Sequence, residues 1–373
     1  MIQSMDGQWI GRVEGDAPGI GVFELDDFGT DLKGIAYHFP DDPQLPGVTV
    51  RFTLPNRGPK HSIKGAPLTP INPANGFVLQ AGEVQHQFPD SVVGATADLE
   101  IEFRDNGHVQ IAYLTPISKG EGTLIGSLAG TGSKLVPHPD VTSWSTFKEW
   151  AFEVEPHRYF YRGQSVPKRL RTSFHRTNRK NLAWYRDWDI NEMRRVLSAQ
   201  LKHFFDPRDP DQNGAFYNLL QHHGYPTPLL DWSLSPFVAA YFAFCAKPGD
   251  RKPEDVVRIY IFDAKHWRED VTPQVSIAYV APHFSIIDLH AIENHRMIPQ
   301  QAKATLTNID DIETFVVGVG DVKKKEYLMA VDLPLSERGQ ALSDLNLMGI
   351  NAGSLFPGID GTCEAMRYRN FEP

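Results

Sequence analysis

The sequence predicts an α+β protein: an all-β sandwich or barrel over residues 1–136, followed by a mixed α/β domain over residues 140–373. Two observations carry this reading. Apolar residues alternate with a period of two through the first third, and a mixed helix and strand pattern follows. Six of the seven tryptophans lie after the change in pattern. A length of 373 residues also suits two domains.

In the first domain, Ile20, Val22, Phe23 and Leu25 mark one strand. Val48, Val50, Phe52 and Leu54 alternate strictly and mark another. Leu99, Ile101 and Phe103, then Val109, Ile111 and Tyr113, make a pair joined by Asp105-Asn106-Gly107, a strong hairpin signal. Gly7-Gln8-Trp9 suits a first barrel strand whose tryptophan plugs one end. No convincing helical period occurs before about residue 140. The stretch Leu135-Val136-Pro137-His138-Pro139-Asp140 reads as a linker.

Beyond it, Thr146 to Glu149 has capping-box spacing, and Phe147, Trp150, Ala151 and Val154 share one helix face. Val256–Phe262, Glu313–Val319 and Tyr327–Val331 read as strands. Ser235-Pro236 pairs an N-cap with proline at the first helical position, ahead of Phe237, Ala240, Tyr241 and Phe244.

Hydrophobic residues make up 41% and charged residues 22%, a globular balance that excludes a largely disordered chain. The net charge of −9 excludes a general nucleic-acid coat. The residues from Met1 to Gly7 lack a basic start followed by an apolar stretch, so no signal peptide is expected. No apolar run approaches the ~18 residues of a membrane span. These features predict a soluble, cytoplasmic protein without a membrane partner, with Cys245 and Cys363 as reduced core thiols.

The charge is uneven. Residues 158–202 carry a net +9, interleaved with Phe174, Trp184, Tyr185 and Trp188, while residues 1–136 carry −7. Basic and aromatic side chains together suit phosphate binding and base stacking, which makes nucleic acid a candidate partner. The competing reading is a solvated helix face, or a patch that pairs with the acidic β domain. That β domain is also a candidate surface for a protein partner.

Three blocks carry the chemistry. The first is Tyr161-Arg162-Gly163-Gln164, where an arginine beside a glycine can hold a phosphate or ribose. A buried structural arginine and a turn glycine are the plainer reading. The second runs from Gln221-His222 through Asp231-Trp232-Ser233-Leu234-Ser235, with Asp231 and Ser233 placed before a helix N-terminus that favours anions. Adjacent His222 and His223 make a poor metal site, and no metal is expected. The third is Glu293-Asn294-His295-Arg296 with Gln300-Gln301, at the entrance of a short strand.

Together these blocks resemble the FRG domain family, over roughly residues 143–365. Tyr161 to Gln164, Gln221 to Phe242, Arg296 and Gln301 match its ordered motifs. So do Met348 to Asn351, Ser354 to Pro357 and Asp360-Gly361. Pro228 stands where many members have arginine. The motif order in turn resembles that of the ADP-ribosyltransferase fold, with Arg162, Ser233-Leu234-Ser235 and Gln300 or Gln301 as the counterparts.

That resemblance implies an NAD-dependent ADP-ribosyltransferase acting on a macromolecular acceptor, nucleic acid among them, in the manner of a toxin or defence effector. NAD would lie between two small sheets. Gly163 would hold the nicotinamide amide, Arg162 the phosphates or ribose, and Ser233 the nicotinamide ribose, with Tyr241 stacking on the ring. Tyr161, Gln164, His222, Asp231 and Arg296 would complete the binding site. The family's third-motif carboxylate has no clear counterpart: Gln301 carries no charge, and Glu293 is the nearest acid. A non-catalytic nucleotide or nucleic-acid binding module is the alternative. A metal-dependent hydrolase lacks its ligand cluster.

Overall fold

The computed structural model describes residues 5–247 and 249–371. The first four residues, part of the N-terminal stretch read above, lie outside the described residues. Strands β1 (Gly7–Gly15), β2 (Gly19–Asp27), β3 (Leu32–Pro40), β4 (Gly47–Leu54), β5 (Lys60–Ile71), β6 (Thr96–Phe103), β7 (Val109–Leu114) and β8 (Lys119–Gly126) close into an antiparallel barrel, β8 pairing back onto β1. The all-β expectation is met, and the form is the barrel.

Alternation explains its packing. Phe23, Leu25, Phe52, Leu99, Ile101 and Val109 point inward and are buried. Trp9 plugs one end. Its ring lies 5.4 Å from Phe23 and 5.7 Å from Phe103, and Nε1 donates to the Gly107 carbonyl at 2.9 Å. Gly107, in the β6–β7 turn, takes a φ of +80°, which favours glycine. One short helix, Ala81–Gln87, interrupts the all-β pattern between β5 and β6.

The linker is tied down rather than loose: the His138 N–H donates to the Ala330 carbonyl at 2.8 Å. The next helix, Trp144–Glu153, starts earlier than its sequence signal. Ser143 is the N-cap and accepts from the Thr146 N–H, while Thr146 Oγ1 accepts from the Ser143 N–H at 3.1 Å. Thr146 is therefore the reciprocal partner inside the box, not its first member.

A six-stranded antiparallel sheet follows, in the order β12-β13-β10-β9-β11-β14. Its strands are β9 (Tyr159–Gln164), β10 (Leu229–Ser233), β11 (Val256–Asp263), β12 (Phe284–Ile287), β13 (Ala302–Thr307) and β14 (Leu328–Pro334). The segment Glu313–Val319, expected as a strand, lies in a helix, Ile312–Lys323. Asp311 caps it, and Ile312, Val316 and Gly320 are buried at a spacing of four, so packing overrides the β-branched composition. Cys245 and Cys363 are both exposed, a correction to their expected core placement. Among the described residues no helix is long and apolar enough to cross a membrane.

The barrel docks on the second unit through buried polar contacts. Gln8 Nε2 donates to the Asn308 carbonyl at 2.6 Å, and Gln8 Oε1 accepts from the Asp310 N–H at 2.8 Å. The basic segment forms much of this seam. Arg179 pairs with Asp26 at 2.8 Å, and the Lys180 ammonium with Asp6 at 2.6 Å. Lys33 of the barrel sits 4.0 Å from the centre of the Trp184 ring. Elsewhere in the segment, Arg158 pairs with Asp263, Arg169 with Asp311 and Arg171 with Asp310. Phe174 and Tyr185 are buried, while Trp188 remains exposed. With Arg186, which pairs with Asp187, six of the twelve basic residues of the segment are ion-paired within the chain.

Candidate functional site

The sheet is divided at its centre. β9 pairs with β11 along its whole length and β10 with β13 along its whole length, but β9 and β10 meet only at Tyr161↔Ser233. Beyond that position a cleft of about 520 Å³ opens between the two three-stranded halves. Tyr161, Arg162, Gly163, Gln164, His222, Asp231, Ser233 and Arg296 all line it. Residues from three distant segments therefore converge as expected.

Arg162 bridges the gap. Its guanidinium NH1 donates to the Asp231 main-chain carbonyl at 2.6 Å, and its Nε is buried with no hydrogen-bond partner. Burial lowers its pKa, and the nearby Asp231 charge works against that. The Asp231 carboxylate accepts from Gln221 Nε2, and Gln221 Oε1 accepts from Thr227, so the carboxylate is oriented by a short relay. Asp231 reaches solvent through the cleft but is otherwise hemmed in by protein. Desolvation raises its pKa, and Arg162 and Gln221 offset this.

Two further arginines face the same space. Arg176 lines both the cleft and an adjoining pocket of about 290 Å³ that shares Arg162 and Asp231. Among the described residues its guanidinium makes no hydrogen bond or ion pair, and the Asp231 charge acts on it from a distance. Arg296 lies over the Phe356 ring at 5.1 Å and makes no ion pair with the described residues. His222, at the end of the helix Pro210–His222, is held neutral. Burial first, and then the Arg296 charge, push its pKa down to about 4.

The cleft thus gathers three guanidinium groups and one carboxylate, with Phe242 and Phe356 as apolar walls. Such a set favours a polyanionic ligand with a planar group. Among the described residues no group of three or more His, Cys, Asp or Glu is placed to hold a metal ion.

Two predicted site residues also serve the fold. Gly163 is required by packing: a Cβ there would run into the Ala239 carbonyl oxygen and stand 2.6 Å from the Ala243 nitrogen, both on the helix Pro236–Phe244. The Ser233 hydroxyl donates to the Gln300 carbonyl at 2.7 Å and accepts from the Ser235 N–H at 3.0 Å. Ser235 caps its helix by accepting from the Val238 N–H, as its sequence position predicts.

Three expected site residues do not line the cleft. Gln301 is exposed with a φ of +48°, and its main chain alone is engaged: its N–H donates to the Ile298 carbonyl and its carbonyl accepts from the Leu234 N–H. Gln300 lines the cleft in its place, its Nε2 donating to the Leu355 carbonyl at 2.9 Å. Glu293 is exposed at a φ of +58° and stands apart. Tyr241 packs against the core cluster under the helix, and the next helical residue, Phe242, lines the cleft instead.

Sequence reading missed Arg176, Asn218, Gln221, Asn294 and Phe356 as lining residues. Arg176 sat unmarked within the basic segment. Phe356 lies in the Ser354-Leu355-Phe356-Pro357 motif, whose chemistry is apolar and so gave no signal.

Residues 157–252 match the family model described as the FRG domain. The match takes in Arg162, His222, Asp231 and Ser233, and stops before Arg296 and Gln300. No curated protein and no solved structure matches the chain.

Proposed function

We propose that the cleft binds a nucleotide carrying two or more phosphates, with NAD as the ligand, and uses it as a donor of ADP-ribose to a macromolecular acceptor. One observation carries the reading: Arg162, Arg176 and Arg296 line, with a single carboxylate, one space opened by the break between β9 and β10. The guanidinium of Arg176 and the NH2 group of Arg162, which makes no hydrogen bond with the described residues, leave donors for phosphate oxygens. Phe242 and Phe356 offer an apolar wall to a base.

In this reading the C–N bond to nicotinamide breaks and its electron pair leaves with nicotinamide. The acceptor's lone pair forms the new bond at the ribose carbon, and the acceptor's proton passes to Asp231. Asp231 suits that role because burial raises its proton affinity. With Glu293 and Gln301 outside the cleft, Asp231 also supplies the charge opposite the cationic ribose.

A second reading has its own observation. Neither Gln300 nor any other cleft residue on that segment brings a carboxylate, which favours a binding module without turnover. NAD labelled in its adenylate separates the two. Label retained on a macromolecule supports transfer. A thermal shift with NAD but no retained label supports binding alone. Neither effect would sink both.

A further inference from the structure

We propose that the N-terminal barrel binds a small, mainly apolar molecule that donates one hydrogen bond to His38. The barrel contains a cavity of about 300 Å³, at the lower limit of ligand pockets, which run from ~300 to 1,000 Å³. Closed eight-stranded barrels are just wide enough to be filled by side chains or to hold one small ligand. Here the two ends differ. Trp9, Phe23, Phe52 and Phe103 fill one end. The cavity lies toward the other, where it reaches Asp16 and Ala17 of the β1–β2 turn, Leu45 of the β3–β4 turn and Ile117 of the β7–β8 turn.

The chemistry of the walls selects the ligand. Val13, Val50, Leu68, Leu99, Ile111 and Leu124, from six different strands, give the cavity an apolar lining. Val92 and Ile117 line it near the opening, yet are 74% and 53% exposed, so the entrance is apolar too.

Asp16, Thr49, Tyr113, Thr115 and Ser118 also line the cavity, but among the lining residues His38 alone has a buried polar side-chain atom without a partner. Its Nε2 lies 2.8 Å from the Ala17 carbonyl, which can only accept, so Nε2 carries the proton. Nδ1 is then a lone-pair acceptor, and it is buried with no partner. Desolvation lowers the pKa of the ring, which keeps it neutral. A buried acceptor left unpaired beside an apolar void is unfavourable until a donor reaches it. An alcohol, phenol or aromatic amine supplies an apolar body and that single donor. A carboxylate or phosphate supplies no donor and would lose its hydration without gaining a countercharge.

The test uses the full chain and N-phenyl-1-naphthylamine, an apolar fluorophore with one N–H. Saturable binding at one per chain is expected. Decan-1-ol should displace it about five-fold more tightly than 1-methoxydecane, the effect of one hydrogen bond. His38→Phe should keep the probe but bring that ratio near one. Ala36→Leu, which extends a lining side chain into the cavity, should abolish binding. Leu68→Phe serves as a second filling variant, and far-ultraviolet circular dichroism checks the fold of each. Overturning results are the absence of saturable binding, equal displacement by alcohol and ether in the wild type, or undiminished binding in a folded filled variant.

Discussion

The guanidinium of Arg162 donates to the main-chain carbonyl of Asp231 at 2.6 Å, at the place where pairing between β9 and β10 ends. One side chain thus does part of the work of a missing ladder and leaves its other donors toward the cleft. Arg162→Ala removes both. The stranded carbonyl should cost about 1–3 kcal/mol of stability, and NAD should no longer shift the melting temperature. Arg162→Lys keeps a charge but lacks the fork, so it should recover most of the stability and little of the ligand response. Equal ligand shifts in the wild type and Arg162→Ala would remove Arg162 from the site.

Arg176 and Arg296 have no ion-pair partner among the described residues, so their removal leaves no buried charge exposed to strain. Arg176→Ala and Arg296→Ala should each change stability by less than about 0.5 kcal/mol, as surface substitutions usually do. Each should weaken NAD about ten-fold or more, in line with roughly 1.5–3 kcal/mol for a hydrogen bond to a charged group. Isothermal titration at two salt concentrations checks this, and the salt dependence should shrink in each variant. Unchanged affinity in both would remove the phosphate-binding reading of the cleft.

The site was legible in the sequence where chemistry and backbone demand coincide. Tyr161-Arg162-Gly163-Gln164 and Asp231-Trp232-Ser233 are compact runs that form the C-terminal parts of β9 and β10, and the fold brings them to one cleft. Gln301 and Tyr241 failed by one residue each. A left-handed backbone at Gln301 turns its side chain outward, and a helix rotates about 100° per residue, so Phe242 replaces Tyr241. The fate of the basic segment was not legible. Arg179 and Lys180 meet Asp26 and Asp6 across more than 150 positions, and long-range pairing leaves no local trace. The helix Ile312–Lys323 was hidden for a related reason: Val316, Val317 and Val319 favour strand locally, and tertiary burial decided otherwise.

Gly163 separates packing from chemistry. Gly163→Ala pushes a methyl group against the Ala239 carbonyl on the neighbouring helix. It should destabilise the protein by about 1–3 kcal/mol, the usual range for overpacking. Where the variant remains folded, at low temperature, NAD affinity should fall less than in Arg162→Ala, because the backbone groups of residue 163 persist. A melting temperature equal to the wild type's, with affinity lost, would instead give Gly163 a direct role in ligand approach.

Glu24 gives the docked barrel a pH dependence. Burial raises its pKa from 4.5 to about 8, and the Gln8 amide, which donates to Oε1 at 2.9 Å, only partly opposes this. The same Gln8 side chain donates to the Asn308 carbonyl, so the carboxyl sits beside the seam between barrel and sheet. The sign follows from linkage. The folded state binds the proton more tightly than the unfolded chain, so the contribution to stability is fully present below pH 4.5 and is lost as the pH rises through about 8. The amide of Glu24→Gln keeps an oxygen for Gln8 and does not ionise. The variant should therefore match the wild type near pH 4.5 and exceed it near pH 8 by a few kcal/mol, since a tenfold change in proton affinity is worth about 1.4 kcal/mol. Urea unfolding of both proteins across that range reads the difference directly. A difference that stays constant with pH would mean that Glu24 does not hold its proton in the folded protein.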